Sequence, residues 1–335
     1  MKILISTGVY PPKIGGPAQY AINLKLAFET KGHSVFVRTF LIENYLPTGL
    51  RHIFFFFRII PSVLRSDIAF IFDQFSTGLP TVFACKLFGR KSVIRTGGDF
   101  LWEQYVERAG KPILFRNFYK EEKNNLSAKE KIIFSLTGWT LQNASHIIFS
   151  TLWQRDIFIE AYKLKIENTS IVENYYGPKE GDSDPESKVF VASTRNLKWK
   201  NLDLLGKVFN KIKLIDREVS LFTDSLSFPD FMAKMKDCYV VVQISLGDIS
   251  PNMILDAIRY NRPFICTKEI GILPRIKDVG IFVDPLNEDE IEKAVLSLLD
   301  KDQYEKASQK VRAFSFIHTW QDIANEFLNI YQGIK

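Results

Sequence analysis

The 335-residue sequence predicts an α/β protein of two domains, each on a parallel sheet, and three observations carry that prediction. The first is a β-α-β unit at the amino terminus with a glycine pair, Gly15 and Gly16, in its opening turn. The second is a polar stretch rich in turn formers, 178–187, followed by a fresh α/β set from Lys188. The third is an apolar run, Tyr239 to Ile244, that leads into a helix opening near Ser250. A chain of this length can bury two real cores.

Taken in order, Met1 to Ser6 reads as a first strand, running to Thr7, and not as a signal peptide. A loop to Pro17 precedes a helix with Tyr20, Ile22, Leu24 and Leu26 near its apolar face, closed by Lys31 and Gly32. Ser34 to Thr39 is the next strand. Gly15 and Gly16 would let the backbone approach a ligand closely, with a simple turn as the plain alternative. There is no GxGxxG fingerprint, so a nicotinamide or flavin reading has little support.

Residues 46–65 place Phe54 to Phe57 among Arg51, Arg58 and Arg65. Two readings stand: an interfacial segment whose arginines meet anionic headgroups, or a core helix of the first domain with arginines at its ends. The core helix is the favoured one. Strands follow at Ile68 to Phe72 and Ser92 to Thr96, with a helix from Thr81 to Phe88 between them. Gly97, Gly98 and Asp99 then sit at a strand's carboxyl end, where open α/β sheets bind ligands, with Glu103 a few residues on. Residues 104–145 look helical and charged. Ser145 to Ser150 reads as a strand, a helix starts at Trp153, and Ser170 to Glu173 is short and extended.

In the second set, strand Val189 to Ala192 delivers Arg195, Lys198 and Lys200 at its carboxyl end. Arginine offers a planar fork suited to a diphosphate, and lysine a point charge; a solvated basic loop is the alternative. Downstream, Ser250 suits an N-cap and Pro251 the first helical position. Met253, Ile254, Ala257 and Ile258 recur at helical spacing, and Asn261 and Pro263 stop the helix before strand Phe264 to Thr267. A helix N-terminus at a strand's carboxyl end makes an anion site. Asp248 and Asp256 beside it would repel phosphates, so they should face hydroxyls; a capping Asp and a solvated Asp are the alternative. Cations for phosphates and acids for hydroxyls together fit a sugar diphosphate.

The composition is that of a soluble globular protein, 46% hydrophobic and 24% charged. Net charge is +6 with a pI near 9.0, which favours anionic partners. Cys85, Cys238 and Cys266 lie scattered in apolar runs, as buried thiols of a reducing compartment do. His33, His52, His146 and His318 are far apart, so no dedicated metal site is expected. No run reaches the roughly 18 apolar residues of a spanning helix. No nucleic-acid module is present.

These residues carry a resemblance. The chain resembles the retaining nucleotide-sugar glycosyltransferases of family 4, the GT-B group with two facing Rossmann-like domains and a central interdomain cleft. The matching motifs are Tyr10 to Pro17, Arg195 to Asn201, Asp248 to Asp256 with Ala257 and Pro263, and Gly280 to Pro285. The resemblance implies an acceptor-side domain over 1–180, a nucleotide-sugar domain over 181–315, and a helix over 316–335 crossing back to the first. It implies that Arg195 and Lys200 hold the donor diphosphate and stabilise the leaving nucleotide without a metal. Asp256 would take the ribose, Asp248 the sugar hydroxyls, and the backbone N–H groups of Asn252, Met253 and Ile254 the phosphates. Gly15 and Gly16 would approach the donor from the first domain. Asp99 stands where many relatives place a histidine near the reacting sugar.

Two departures stand out. The family's paired glutamates are both aspartates here, each one methylene shorter, and Val219 to Cys238 is short enough for one β-α unit to be pared down. The implied activity is transfer of a hexose-type sugar from a nucleoside diphosphate to a glycan or lipid-linked glycan, in cell-surface polysaccharide assembly. No separate cofactor is needed. The scattered thiols point to the cytoplasm, and the basic charge with the Phe54 to Phe57 run to the inner face of the membrane, with 46–65 as the contact. The alternatives are a nucleotide-sugar epimerase and a catalytically retired glycan-binding protein.

Overall fold

In the computed structural model, which describes residues 1–11, 15–181 and 184–334, the strands pair into two all-parallel sheets. Pro12, Lys13 and Ile14 of the opening motif lie outside the described residues, as do Asp182 and Ser183 of the expected linker. The chain divides into two compact units, one of residues 1–101, 124–175 and 318–335, the other of 102–123 and 176–317.

The first unit carries β1 (Lys2–Ser6), α1 (Gly16–Thr30), β2 (Ser34–Arg38), α2 (Leu50–Arg65), β3 (Ile68–Ile71), α3 (Gly78–Leu87) and β4 (Lys91–Arg95). The stretch expected to be helical over 104–145 is broken into α4 (Phe100–Ala109), α5 (Phe115–Glu121) and α6 (Ala128–Asn143). Then come β5 (His146–Phe149), α7 (Leu152–Tyr162) and β6 (Thr169–Ile171). The sheet order is β2-β1-β3-β4-β5-β6, so the chain reverses direction across the sheet between β1 and β3. On α1 the buried side chains include Tyr20, Ala21, Leu24, Ala27 and Phe28, whereas Leu26 is exposed. Leu26 was expected on the apolar face. Two residues along a helix is about 200° of rotation, so Leu24 and Leu26 point opposite ways.

The second unit carries β7 (Val189–Val191), α8 (Leu202–Ile215), β8 (Ser220–Phe222), α9 (Phe228–Asp237), β9 (Val240–Gln243), α10 (Asn252–Arg259) and β10 (Phe264–Thr267). It continues through α11 (Leu273–Ile276), β11 (Ile281–Val283), α12 (Glu288–Ser297) and α13 (Lys301–Ala313); the last helix, α14 (Trp320–Gly333), lies in the first unit. The order is β11-β10-β9-β7-β8, which reverses between β7 and β9. Strand alternation builds a core on each face: Val240 and Val242 join Leu205, Val208 and Ile291, while Val241 joins Ile254, Ala257 and Ile276. The β-α unit over Val219 to Cys238 is complete, as β8 and α9, though short.

Residues 102–123 stand in the sequence among first-domain elements but group with the second unit. Their aromatic rings explain this. Trp102 lies 5.2 Å from Phe115 and 5.6 Å from Trp199, ring centre to ring centre. A side chain on Gly247 would come within 2.4 Å of the Phe115 Cβ.

Candidate functional site

The carboxyl ends of β7 and β9 flank the reversal of strand order in the second sheet, the place where open α/β sheets form a ligand crevice. Both expected loops start there. After β7, Ser193 Oγ accepts from the Arg195 N–H at 3.2 Å, and a tight turn over Lys198–Lys200 ends at Asn201 in left-handed geometry, φ 59°. The Asn201 amide donates to the Pro285 carbonyl at 2.6 Å, which ties this loop to the end of β11. Trp199 is buried, and its carbonyl accepts the Leu246 N–H at 2.8 Å. That bond joins the β7 and β9 loops directly.

The result is an ion pair that the sequence does not announce. Lys200 Nζ lies 3.0 Å from Asp248 Oδ2, with both side chains mostly buried, and 4.1 Å from the Trp199 ring centre. Asp248 is fixed at backbone level too: its N–H donates to Glu269 O at 2.9 Å, and its carbonyl accepts from Gly271 at 3.0 Å. A third group holds the carboxylate. The Gln243 amide, at the end of β9, donates to Asp248 Oδ2 at 2.7 Å. Asp248 therefore spends acceptor capacity on Lys200 and Gln243. Arg195 is exposed, with no ion-pair partner among the described residues.

Helix α10 begins one residue later than expected. Pro251 is the N-cap, with extended geometry, and Ser250 is not. Pro251 O accepts from Ile254 at 3.1 Å and from Leu255 at 3.3 Å. The Ile254 N–H, expected to be free for phosphate, is thus taken. Those of Asn252 and Met253 have no acceptor among the described residues and are left open at the helix N-terminus. Asp256 is half-buried on the next turn; its carbonyl accepts the Tyr260 N–H at 2.9 Å within the helix, but its carboxylate accepts no hydrogen bond from a described group. Burial pushes its carboxyl up to about 6, against the pull of Arg259 and with Glu180 adding to the rise. A partly desolvated carboxylate with idle oxygens is suited to receive hydroxyls. The helix ends as expected, with Asn261 at φ 57°.

In the first unit, Gly15 caps α1 at φ 153° and ψ 162°, a region open essentially to glycine alone, and its carbonyl accepts from Ala18 and Gln19. Gly16 is the first residue of that helix. Asp99 is buried just past β4, where its carboxylate accepts the Leu101 N–H at 2.9 Å and opens α4. Beside it, buried Arg95 stacks 4.1 Å from the Tyr20 ring centre and donates to Ser150 Oγ and Asn174 Oδ1.

Sequence reasoning missed Gln243, hidden in a run read as apolar; a polar residue inside a fully buried strand was the available signal. It also missed Glu269, buried at the end of β10, whose carboxylate meets Arg116 Nε at 2.5 Å. Burial raises the Glu269 pKa, and Arg116 opposes the rise. Among the described residues, no group of three or more His, Cys, Asp or Glu side chains stands together as a metal site would.

No family model matches the chain, and no curated protein does. Solved structures match over nearly its full length. HepE of Anabaena, solved with UDP and also with UDP and glucose, is similar at a TM-score of 0.69 to 0.70 and 14% identity, over 99% of this chain and 100% of that one. A sucrose-phosphate synthase from Thermosynechococcus elongatus gives 0.71 at 11% identity over 99% and 98%. WaaG, a glycosyltransferase involved in lipopolysaccharide biosynthesis, gives 0.68 at 11% over 99% and 100%. A UDP-GlcNAc 2-epimerase from Methanocaldococcus jannaschii shares the architecture at 0.56 and 12%, over 99% of each chain. With two all-parallel, doubly wound sheets and these neighbours, the fold is that of the GT-B glycosyltransferases.

Proposed function

We propose that the protein is a retaining glycosyltransferase that moves a sugar from a nucleoside diphosphate to a glycan or lipid-linked glycan at a membrane face. The observation that carries this is the assembly at the end of β7 and β9: Lys200 seated on Asp248, with exposed Arg195 on the same loop. Nearby in sequence stand the open N–H groups of Asn252 and Met253 and the idle Asp256 carboxylate. UDP bound to HepE, a protein of the same fold, supports a nucleoside diphosphate as the ligand.

In this reading the second unit takes the donor and the first the acceptor. Arg195, Lys200 and the α10 N-terminus carry the diphosphate charge that a metal would otherwise neutralise. Asp256 receives the ribose hydroxyls. Asp248 keeps Lys200 in place and offers its remaining acceptor capacity to the sugar. The anomeric C–O bond breaks with its electron pair going to the phosphate oxygen. The acceptor hydroxyl adds from the same face and passes its proton to that oxygen, so configuration is kept. In the first unit, Asp99 and the Gly15–Gly16 turn are the candidate sugar-contacting groups.

The test is a metal-free thermal-shift panel of UDP, GDP, ADP, CDP and dTDP on the wild type and Arg195→Ala. A diphosphate at a hundred times its Kd adds about 2.7 kcal/mol of stability. One nucleotide should stabilise the wild type and fail on the variant; if none stabilises the wild type, the reading falls. Incubating the sugar form of that nucleotide then separates the chemistries, since an epimerase returns an isomer without an acceptor and a retired binder returns the donor unchanged.

A further inference from the structure

Helix α2 is apolar on two sides at once. Phe55, Ile59 and Val63 are fully buried, while Leu50, Ile53, Phe54, Phe57 and Leu64 form a stripe on the opposite side that is between 43% and 65% exposed. Their spacing of three, four and seven puts them along one face. The stripe does not end with α2. Phe56 lies 5.2 Å from Phe57 and 5.2 Å from Phe83 of α3, and Phe83 lies 5.9 Å from Trp139 of α6. Leu87, the last residue of α3, and Phe88 just after it are also exposed. Three helices thus share one apolar surface, of a kind that soluble monomers rarely leave bare.

Its rim is cationic. Arg65 is the last residue of α2, the Arg90 guanidinium donates to the Leu64 carbonyl, and Lys86 lies 6.0 Å from the Trp139 ring centre. None of the three has a carboxylate within ion-pair distance among the described residues. Arg58 differs: it is held by buried Glu43 at 2.5 Å and by the Thr39 carbonyl, so it serves the fold.

We infer that the α2–α3–α6 face is a docking surface for an anionic lipid bilayer, with Phe54, Phe57 and Phe83 entering the acyl boundary and Arg65, Lys86 and Arg90 meeting headgroup phosphates. Charge selects this occupant. Two copies of the chain meeting through the face would set cations against cations, whereas anionic headgroups complement the rim. No helix among the described residues is long and apolar enough to cross a membrane, so the contact is a surface one. The inference rests on the glycosyl-transfer reading only for its purpose, bringing the first unit to a lipid-linked acceptor.

The experiment is vesicle flotation of the full chain without nucleotide, so that its failure and failure of the nucleotide panel are separate results. Vesicles are phosphatidylcholine alone or phosphatidylcholine with phosphatidylglycerol. Wild type should float with the anionic vesicles, less as salt is raised, and Phe54→Ser/Phe57→Ser should lose at least about tenfold in affinity at unchanged Tm. Arg65→Glu/Lys86→Glu should lose the preference for phosphatidylglycerol, and Leu214→Ser, an exposed leucine of the second unit, should change nothing. Wild type that ignores anionic vesicles overturns the inference. So do double variants that bind like wild type, or a concentration-dependent dimer abolished by Phe57→Ser.

Discussion

Gln243 shows how much of a site can hang on one amide. It is nearly fully buried at the end of β9, gives one N–H to Asp248, and leaves its Oε1 buried without a partner. A buried acceptor without a partner costs about 1–3 kcal/mol, so the strand end carries strain for the sake of holding Asp248. Gln243→Leu should therefore cost little in Tm, or raise it, while nucleotide-sugar turnover falls about tenfold or more through kcat. A structural role alone would lower Tm and leave turnover per folded molecule unchanged. Gly247 makes the complementary case. A methyl group there would press on Phe115 at 2.4 Å and the Trp102 ring at 3.3 Å, so Gly247→Ala should cost about 1–3 kcal/mol by thermal melt and disturb Asp248 next door. Neither residue could be weighed from sequence. The approach of residues 102–123 to 247, and of Lys200 to Asp248, is set by pairing across more than forty positions of chain. What could be read locally was read: the stops at Asn261 and Pro263, the glycine at 15, and the loops at the two strand ends.

At the scale of the element, α10 sets function against stability. A carboxyl whose pKa is about 6 when folded and 3.8 unperturbed binds its proton more tightly in the native chain than in the unfolded one. The resulting stabilisation is whole below pH about 4 and is lost as pH rises through 6. Asp256→Asn, which has no charge to desolvate, escapes that loss. Its Tm should exceed the wild type's at pH 8, by the equivalent of on the order of 2 kcal/mol, and match it at pH 4. The same variant should show a smaller nucleotide-induced rise in Tm, because the amide accepts fewer hydroxyls. Equal stability at both pH values would mean that Asp256 is not desolvated. Helix α2 is the core helix that its sequence favoured, and it also has an exposed apolar face. It is a core helix on the side of Phe55 and an apolar surface on the side of Phe57; sequence periodicity showed a helix that was apolar nearly all round, which fits either. Phe55→Ala should cost about 3–5 kcal/mol, and Phe57→Ala should stay within about 0.5.

For the whole molecule, the two sheets were legible because alternating strands and helices with short turns leave few other folds. The grouping of the last helix is a matter of packing. Phe327 of α14 is fully buried, 5.1 Å from Phe70 on β3 and 6.4 Å from Phe28 on α1, in a core that also holds Ile3, Ile5 and Leu24. The second unit has cores of its own, built on Val240 to Val242 and lacking any residue of α14. Two separately cored units of one chain need not melt together. Phe327→Ala should take about 3–5 kcal/mol from the first unit alone, splitting the melt into an early transition and one near the wild-type temperature. A stabilising nucleotide should then raise the later transition and leave the early one in place, because the residues expected to hold the diphosphate, Arg195, Lys200, Asn252 and Met253, all belong to the second unit. Calorimetry of the variant with and without nucleotide reads both outcomes in one scan series. A single transition that falls with Phe327→Ala and rises with nucleotide would instead make the chain one cooperative body, in which loss of the α14 anchor is felt at the nucleotide site.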